Sequence, residues 1–486
     1  MNVTPSLDAL LALPATYTHV ALSVTLAADT ETPIGVFHKL SGGRPRAFLL
    51  ESVEGGERSG RYSFIGFDVE KQLSFGRGSR DPLRALEQEL LGYRVAPRPE
   101  LPPLSGGAVG FLGYEAVRHL EDVPLAARRD LDVPDAAFLL AEELAVFDHL
   151  RGQLVILTLV SLTGDRAAAR EAGVRRLAAL VRRLEEAAPP RLASVEVPDA
   201  LPLFTPWAPR ESYLAAVGRA KEAIAAGEVF QVVLSQRFVV EAAVSPLALY
   251  RHLRSLNPSP YMFLLDLGDF AVVGASPEVL VRVEHGEVRV RPIAGTRRRG
   301  ATPDEDARLE AELRADPKEL AEHRMLLDLG RSDVGRVAAL GSVRVERALA
   351  IERYSHVMHL VSDVVGRLAP GRTAFDALRA GFPAGTVSGA PRVRAMELIA
   401  ALEPAERGLY SGAIGYFDFA GNMDTCIAIR TLVVEPHRVL VQAGAGIVFD
   451  SDAEAEEAEC RQKARAPLLA LAAALAERDG AGSRAS

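Results

Sequence analysis

The sequence predicts an α+β fold built on antiparallel sheet, and three observations carry that class. Short runs with strand alternation come in groups, long helical patterns are inserted between the groups, and strict strand-helix alternation is missing. The glycine-rich strand end Gly444-Ala445-Gly446 also lies about six residues before the next helix cap at Ser451 or Asp452, whereas a dinucleotide fingerprint needs its glycines at the strand-to-helix turn itself. A Rossmann arrangement is therefore disfavoured.

Residues 20–75 alternate apolar and polar in runs such as Ala47-Phe48-Leu49-Leu50-Glu51-Ser52, divided by Gly, Pro and Asp, and read as strands. Helical spacing over 82–91 is followed by a proline-rich loop, then by strands from 108 to 160 and a long helix over 165–187. Six prolines and no periodicity in residues 187–209 put the main internal boundary there. The expected organisation is an N-terminal region 1–190, a linker 191–209, a region 210–475 dense in chemical signals, and a disordered tail 476–486. Beyond the linker the spacing predicts a helix over 211–226, strands over 230–240, 263–273 and 278–283, and a long helix over 316–337. Strands over 353–365, 410–418, 426–434 and 439–449 precede C-terminal helices.

With 486 residues, 48% hydrophobic and 25% charged, the chain has the balance of a soluble globular protein. Its formal charge of −8 opposes the counterion release that drives nucleic-acid binding, so no nucleic-acid partner is expected. Two cysteines, Cys426 and Cys460, are too few and too far apart for a disulfide framework or a CxxC metal site, which fits a reducing cytoplasm. The N-terminus has neither a basic stretch nor a long apolar core, and no apolar run approaches membrane-spanning length, so no membrane association is expected. Cationic residues are overwhelmingly arginine, which makes each of Lys39, Lys71, Lys221, Lys318 and Lys463 informative. A GxSxG elbow, a P-loop and HExxH are all lacking, which removes most support for hydrolase and kinase readings.

Several constellations have both a chemical and a plain structural reading. The glycines of Gly444-Ala445-Gly446 let backbone amides approach a ligand carboxylate, or else relieve a close-packed strand. Of the acids behind them, Asp452, Glu454, Glu456 and Glu457 are accounted for by the positive end of a helix dipole. Glu459 lies beyond its reach and shares a face with Lys463, either as a surface ion pair or as part of a site. In a second acidic helix Glu322 falls on the face of Lys318 and Leu326. Two carboxylates from different helices would suit Mg²⁺, which keeps waters or substrate oxygens. His359 points the same way as Val357 and Val361 in a strand pattern, as a core histidine or a proton-transfer group. The turn Phe382-Pro383-Ala384-Gly385-Thr386 reads as an anion-binding loop or an ordinary capped turn, and the basic run 297–299 as a steering patch or a solvated one.

Taken together, PIAGTRRRG, AEHRMLLDLGRSDVGRV, RYSHVMHLVSDVVG, FPAGTVSGAPRVRAMELI, LYSGAIGYF and QAGAGIVFDSDAEAEEAECRQKAR resemble, in this order over residues 210–470, the chorismate-utilising enzyme family. The LLES stretch ending at Ser52 and Asn257-Pro258-Ser259-Pro260-Tyr261-Met262 resemble its anthranilate-synthase large-subunit branch and extend the likeness over nearly the whole chain. The resemblance implies an α/β sandwich of orthogonal antiparallel β-sheets flanked by helices, with Glu322 and Glu459 holding Mg²⁺ against the ring carboxylate of chorismate. It implies substrate contacts from Gly295, Thr296, Tyr410, Arg430, Gly444, Ala445 and Gly446. It further implies that Glu278 assists hydroxyl departure, that His359 and Thr386 support the ring chemistry and elimination, and that Lys463 is an active-site lysine.

The implied reaction converts chorismate and ammonia to anthranilate and pyruvate, the first committed step of L-tryptophan biosynthesis. Aminodeoxychorismate synthases of the family carry a nucleophilic lysine in PIKGT, where this chain has Ala294, and isochorismate synthases carry a water-activating lysine where it has Gln231. Direct attack by ammonia is thus the expectation, ahead of an aminodeoxychorismate synthase or a non-catalytic tryptophan-binding paralogue. No amidotransferase cysteine elbow is present, so a separate glutamine amidotransferase subunit (component II) is implied as ammonia source, in a heterotetramer. Ser52, Pro260, Tyr261 and Met262 resemble the site at which L-tryptophan inhibits such enzymes.

Overall fold

A computed structural model of the chain describes all residues except 54–59, 194–195, 197, 355–356 and 484–486. Helices surround two sheets of twelve and ten strands built from antiparallel ladders, so the α+β expectation holds.

Both sheets are shared between the sequence before and after the linker. The first runs in space from His19–Ala27 through Gln153–Ser161, Glu143–Asp148, Tyr62–Gly66 and Ala47–Glu51, and there meets Tyr261–Asp266. It continues through Ala271–Ser276, Thr431–Val434, Val439–Ile447 and Gln231–Val240 to the short strand Gly389–Ala390. The seam between the two wings is the ladder that pairs Glu51 with Met262 and Ala47 with Asp266. In the second sheet the corresponding seam pairs Gly107–Leu112 with Ala413–Asp418. Residues 191–209 divide the sequence without dividing either sheet.

Side chains between the sheets form a dry layer in which Phe48, Phe263, Val272 and Val433 of the first sheet pack with Phe111, Leu139 and Ile414 of the second. The other face of the first sheet, including Leu22, Leu49 and Met262, packs beneath the helices Pro33–Ser41, Arg166–Glu186, Pro246–Leu256 and the C-terminal helix, through Leu40, Leu177, Leu253 and Leu471. Each such side chain fully removed from water contributes roughly 1.5–3 kcal/mol.

Three expectations are corrected. The run 263–273 is two strands, Tyr261–Asp266 and Ala271–Ser276, because Gly268 (φ +93°) turns the chain and donates its amide to Asp266 at 3.0 Å. The run 426–434 is also two strands, Met423–Ile427 and Thr431–Val434, broken where Arg430 adopts φ +52°. The tail expected from 476 is helical as far as Ser483: a single helix, Ala453–Ser483, replaces the C-terminal pair, its alanine-rich second half buried against the first sheet although Pro467 lies inside it.

Both strand breaks serve the fold's central device. Ala271–Ser276 of the first sheet passes through Pro277 and Glu278 directly into Val279–Glu284 of the second, while Met423–Ile427 of the second passes through 428–430 into Thr431–Val434 of the first. The two crossovers are tied side by side. Ala275 N–H donates to Arg430 O at 3.1 Å, Ile427 N–H to Glu278 O at 3.0 Å, and the Ser276 hydroxyl to Ile427 O at 2.7 Å.

Candidate functional site

A gap in the first sheet opens where these crossovers leave it. Val439–Ile447 is paired along its whole length with Gln231–Val240, but on its other edge Thr431–Val434 accompanies it only as far as Leu432↔Val441. From Ala443 onward no strand among the described residues lies beside that edge, and strand edges carry unspent backbone donors and acceptors. Gly444 and Gly446 stand there for steric reasons. A Cβ on Gly444 would lie 2.5 Å from the Tyr410 hydroxyl, and one on Gly446 2.5 Å from the Gln231 amide nitrogen. The Lys463 ammonium donates to the Gly444 carbonyl at 2.9 Å and meets Glu459 at 2.6 Å, which fixes the direction of the Gly444–Ala445 peptide.

The crossovers deliver Glu278 and Arg430 to the same gap. Burial pushes the Glu278 carboxyl up to about 7, against the lowering effects of a 3.0 Å hydrogen bond from Thr386 and of Lys463 and Arg430. Burial also pulls the Arg430 guanidinium below its ordinary value, with Tyr410, Glu459 and Glu278 opposing. Among the described residues that guanidinium makes no hydrogen bond or ion pair. A desolvated cation without a partner is an anion site awaiting its ligand, and its planar fork fits a carboxylate.

Below the gap, two helices aim acids at each other. In Pro317–Gly335, Glu322 is raised by burial first, then by Glu319, with Glu459 adding to the rise and Lys318 and Lys463 opposing it. In Ala453–Ser483, Glu456 is likewise raised by burial and by Glu459. The set is thus an acid at i and i+3 on each helix, and Glu319 and Glu456 are members that sequence reasoning missed. The helix dipole alone does not describe Glu456, which is partly buried beside Glu459 of its own helix and feels Lys318 of the other. Glu457 corrects the same expectation differently, because it is buried and paired with Arg461 at 2.6 Å. Asp452 does cap the helix, accepting from Ala455 N–H at 2.9 Å, and exposed Glu454 pairs with Arg210. Among the described residues no three His, Cys, Asp or Glu side chains converge on one point. A cation that keeps waters or substrate oxygens does not need them to, and Glu322 and Glu459, one from each helix, fit a hard divalent ion such as Mg²⁺.

The second sheet supplies the remaining wall. His359 Nδ1 lies 2.9 Å from the Thr296 hydroxyl and 3.3 Å from Gly295 O, across a bulge between Ala294 and Thr296. Burial lowers the pKa of its imidazole, so the ring is neutral near pH 7. Gly295 has φ +75°, and a Cβ there would stand 3.2 Å from Glu319 Oε2, so the loop passes close to the carboxylates. The basic run is spoken for: Arg297 pairs with Asp316 and Glu319, Arg298 with Glu305, and Arg299 with Asp306. None is free to steer a substrate.

Ser52, Pro260, Tyr261 and Met262 lie elsewhere, at the seam. Val53 N–H donates to Ser259 O at 3.1 Å, and the buried Ser52 hydroxyl has no hydrogen-bond partner among the described residues. Tyr261 faces between the sheets, its hydroxyl 2.8 Å from Asp424, which Arg282 also grips at 2.6 Å. Met262 is buried on the opposite face with Leu49 and Leu264.

Reasoning from sequence also missed Glu403 and Arg407. Both are buried, paired at 2.6 Å, and the guanidinium reaches Val387 O at 2.7 Å and lies 5.4 Å from the centroid of the Tyr410 ring. They hold Tyr410 and the Thr386 turn in place. Their i, i+4 spacing was the available signal, and it is shared with ordinary surface pairs.

Comparison with known proteins gives one family. The family described as chorismate binding enzyme matches residues 45–469. The anthranilate synthase component 1 of Cereibacter sphaeroides is 46% identical over 462 residues, covering 91% of this chain and 92% of the relative. That of Pseudomonas putida is 47% identical over 454 residues, covering 90% and 92%. The crystal structure of anthranilate synthase component I from Streptococcus pneumoniae TIGR4 superposes with a TM-score of 0.78 at 37% identity, covering 91% of this chain and 99% of that one.

Proposed function

The chain belongs to the chorismate-binding enzyme family, and from that premise we propose that it is the large subunit of an anthranilate synthase, a lyase that converts chorismate and ammonia to anthranilate, pyruvate and water. The observation that carries the reading is the unpartnered Arg430 guanidinium at the sheet gap, facing a protonatable Glu278 on one side and the two-helix carboxylate set on the other.

Arg430 takes a substrate carboxylate, assisted by the Tyr410 hydroxyl and by amides of the Gly444–Gly446 edge. Glu322 and Glu459 are the residues to hold Mg²⁺, whose charge there would neutralise the ring carboxylate. Ammonia attacks the ring carbon beside the carboxylate-bearing one, the double bonds shift, and the C4–O bond breaks. Glu278, half protonated near neutrality and oriented by Thr386, gives its proton to the departing hydroxyl, which leaves as water. In the second step a proton is removed from the carbon that now bears nitrogen, the ring becomes aromatic, and the ring C–O bond breaks to release the enolate of pyruvate, which takes up a proton at its methylene carbon to become pyruvate. His359 suits that removal: with Nδ1–H directed at Gly295 O, its Nε2 keeps a lone pair.

The amine comes from free ammonia delivered by a glutamine amidotransferase subunit, in a cytoplasmic heterotetramer. Ala294 and Gln231 support this, since neither supplies the lysine that would compete as nucleophile or activate water. Feedback by L-tryptophan at Ser52 and the Pro260-Tyr261-Met262 backbone is the regulatory part of the proposal, supported by a buried Ser52 hydroxyl that has no hydrogen-bond partner among the described residues. Such feedback fits a first committed step of tryptophan synthesis. The test is the purified chain with chorismate, Mg²⁺ and ammonium, followed by anthranilate fluorescence. Anthranilate that accumulates only with all three is the expected result; aminodeoxychorismate as product, or no turnover, overturns it.

A further inference from the structure

The helix Pro317–Gly335 seats itself with a buried stripe of four residues, His323, Leu326, Gly330 and Val334, of which only the first is polar. At Gly330 the helix comes so close that a Cβ would meet Val290 and Pro292 at 3.1 and 3.2 Å. His323 has no solvent exposure, and its Nε2 lies 2.7 Å from the Ser362 hydroxyl, which is itself fully buried. That hydroxyl also accepts Leu349 N–H at 3.0 Å, and Ser362 N–H donates to Pro292 O at 3.1 Å. On its other side His323 Nδ1 faces the backbone of Ala294, outside full hydrogen-bond geometry.

These contacts join three segments of the candidate site. Ala294 precedes the Gly295–Thr296 bulge, Ser362 follows His359 on the strand Val357–Arg367, and His323 adjoins Glu322. A leucine would bury as well in such a stripe at lower desolvation cost. Apolar contacts are nondirectional and let a helix rotate or slide, whereas a hydrogen bond weakens steeply off-axis.

We propose that His323 is a positioning residue: through Ser362 and the Ala294 backbone it sets the rotation and depth of the Pro317–Gly335 helix, so that Glu322 meets Glu459 across the cleft. The inference rests on the reading that these carboxylates hold a divalent cation.

The experiment is Mn²⁺ binding to the full chain without substrate, read as loss of the free-ion electron paramagnetic resonance signal, with thermal unfolding measured in parallel. Outer-shell partners of metal ligands are typically worth 10- to 100-fold in affinity, so His323→Leu should weaken Mn²⁺ binding by roughly tenfold or more while the chain stays folded. Ser362→Ala should weaken it in the same direction, and His323→Gln, which can still reach Ser362, should restore most of the affinity. Parent-like Mn²⁺ binding in both His323→Leu and Ser362→Ala, whatever their melting temperatures, overturns the inference. If His323→Leu does not fold, Ser362→Ala and His323→Gln decide the matter alone, parent-like binding in Ser362→Ala again overturning it. Glu322→Gln separates the two levels. If it weakens Mn²⁺ binding and the His323 and Ser362 variants do not, positioning alone fails; if it too has no effect, the metal reading fails and takes the inference with it.

Discussion

The seam between the wings and the gap in the first sheet are both rich in buried polar groups, yet they treat charge in opposite ways. At the seam Glu51 is taken by Arg254 at 3.0 Å and by the Tyr250 hydroxyl, Asp424 by Arg282 and Tyr261, and Asp148 by Arg61 at 2.8 Å. Among the described residues the Ser52 hydroxyl and the Arg282 Nε are the buried polar atoms left over there. In the gap Arg430 has no partner among the described residues, Glu278 is held up near neutrality, and Glu322 is raised by burial and by the carboxylates of Glu319 and Glu459. A folded chain keeps buried charge unpaired only at a cost in stability, which a bound ligand can offset. The seam pairs its charges and holds two halves together, whereas the gap keeps charge in reserve for a charged ligand.

The sharpest way to break this contrast is to neutralise the gap one charge at a time. Glu459→Gln should reduce Mg²⁺-dependent anthranilate formation by at least about 1000-fold, whereas Glu454→Gln, which loses only an exposed pair with Arg210, should stay within about twofold. Equal losses in the two variants would erase the distinction between ligand and helix-end acid.

Glu278→Gln should lower turnover by roughly 10²- to 10⁴-fold. The sign of its stability effect is opposite. The unfolded carboxyl ionises near 4.5 and the folded one near 7, so the parent loses stability as pH rises between those values and does not regain it above them. At pH 8 the Gln variant should therefore be more stable, by on the order of 3 kcal/mol, in denaturant titrations compared at pH 4 and pH 8. In the parent, the rate at fixed free-ammonia concentration should fall as pH rises through about 7, because the proton donor is lost.

Arg430→Lys keeps the charge but loses one of two parallel hydrogen bonds, worth about 2 kcal/mol, or roughly thirtyfold in kcat/KM for chorismate. At the seam the expected effects are smallest and of a different kind. Ser52→Ala should weaken tryptophan inhibition by about tenfold, the value of one hydrogen bond, in an inhibition titration. Tryptophan sensitivity that survives unchanged would remove the regulatory reading and leave the seam purely structural.

Much of the gap was legible because its residues sit in motifs that resemble those of a known family, whereas spacing alone left each with a plain structural reading beside the chemical one. The glycine hook, Glu322 and Glu459 could be named before any coordinates, and the structure places them around one cleft. What stayed hidden depends on distant parts of the chain. Nothing in 426–434 announces that Arg430 leaves the β region, since its φ of +52° follows from a strand changing sheets, and the partner strand that makes the change necessary lies some 150 residues earlier. Glu403 and Arg407 share their spacing with the exposed Glu171 and Arg175 pair, and only burial tells the two apart. At Glu456 a helix dipole is explanation enough for an acid until its partial burial is seen.

The shared sheets have a further consequence for how the chain could be divided. Cutting it within residues 191–209 would separate two fragments, each ending in a raw edge: Ala47–Glu51 and Gly107–Leu112 on one, Tyr261–Asp266 and Ala413–Asp418 on the other. Such long apolar edges are templates for aggregation when bare, and are also complementary to each other in register. The two pieces are thus expected to behave as a split pair, aggregating when made apart and re-forming both ladders when made together in one cell.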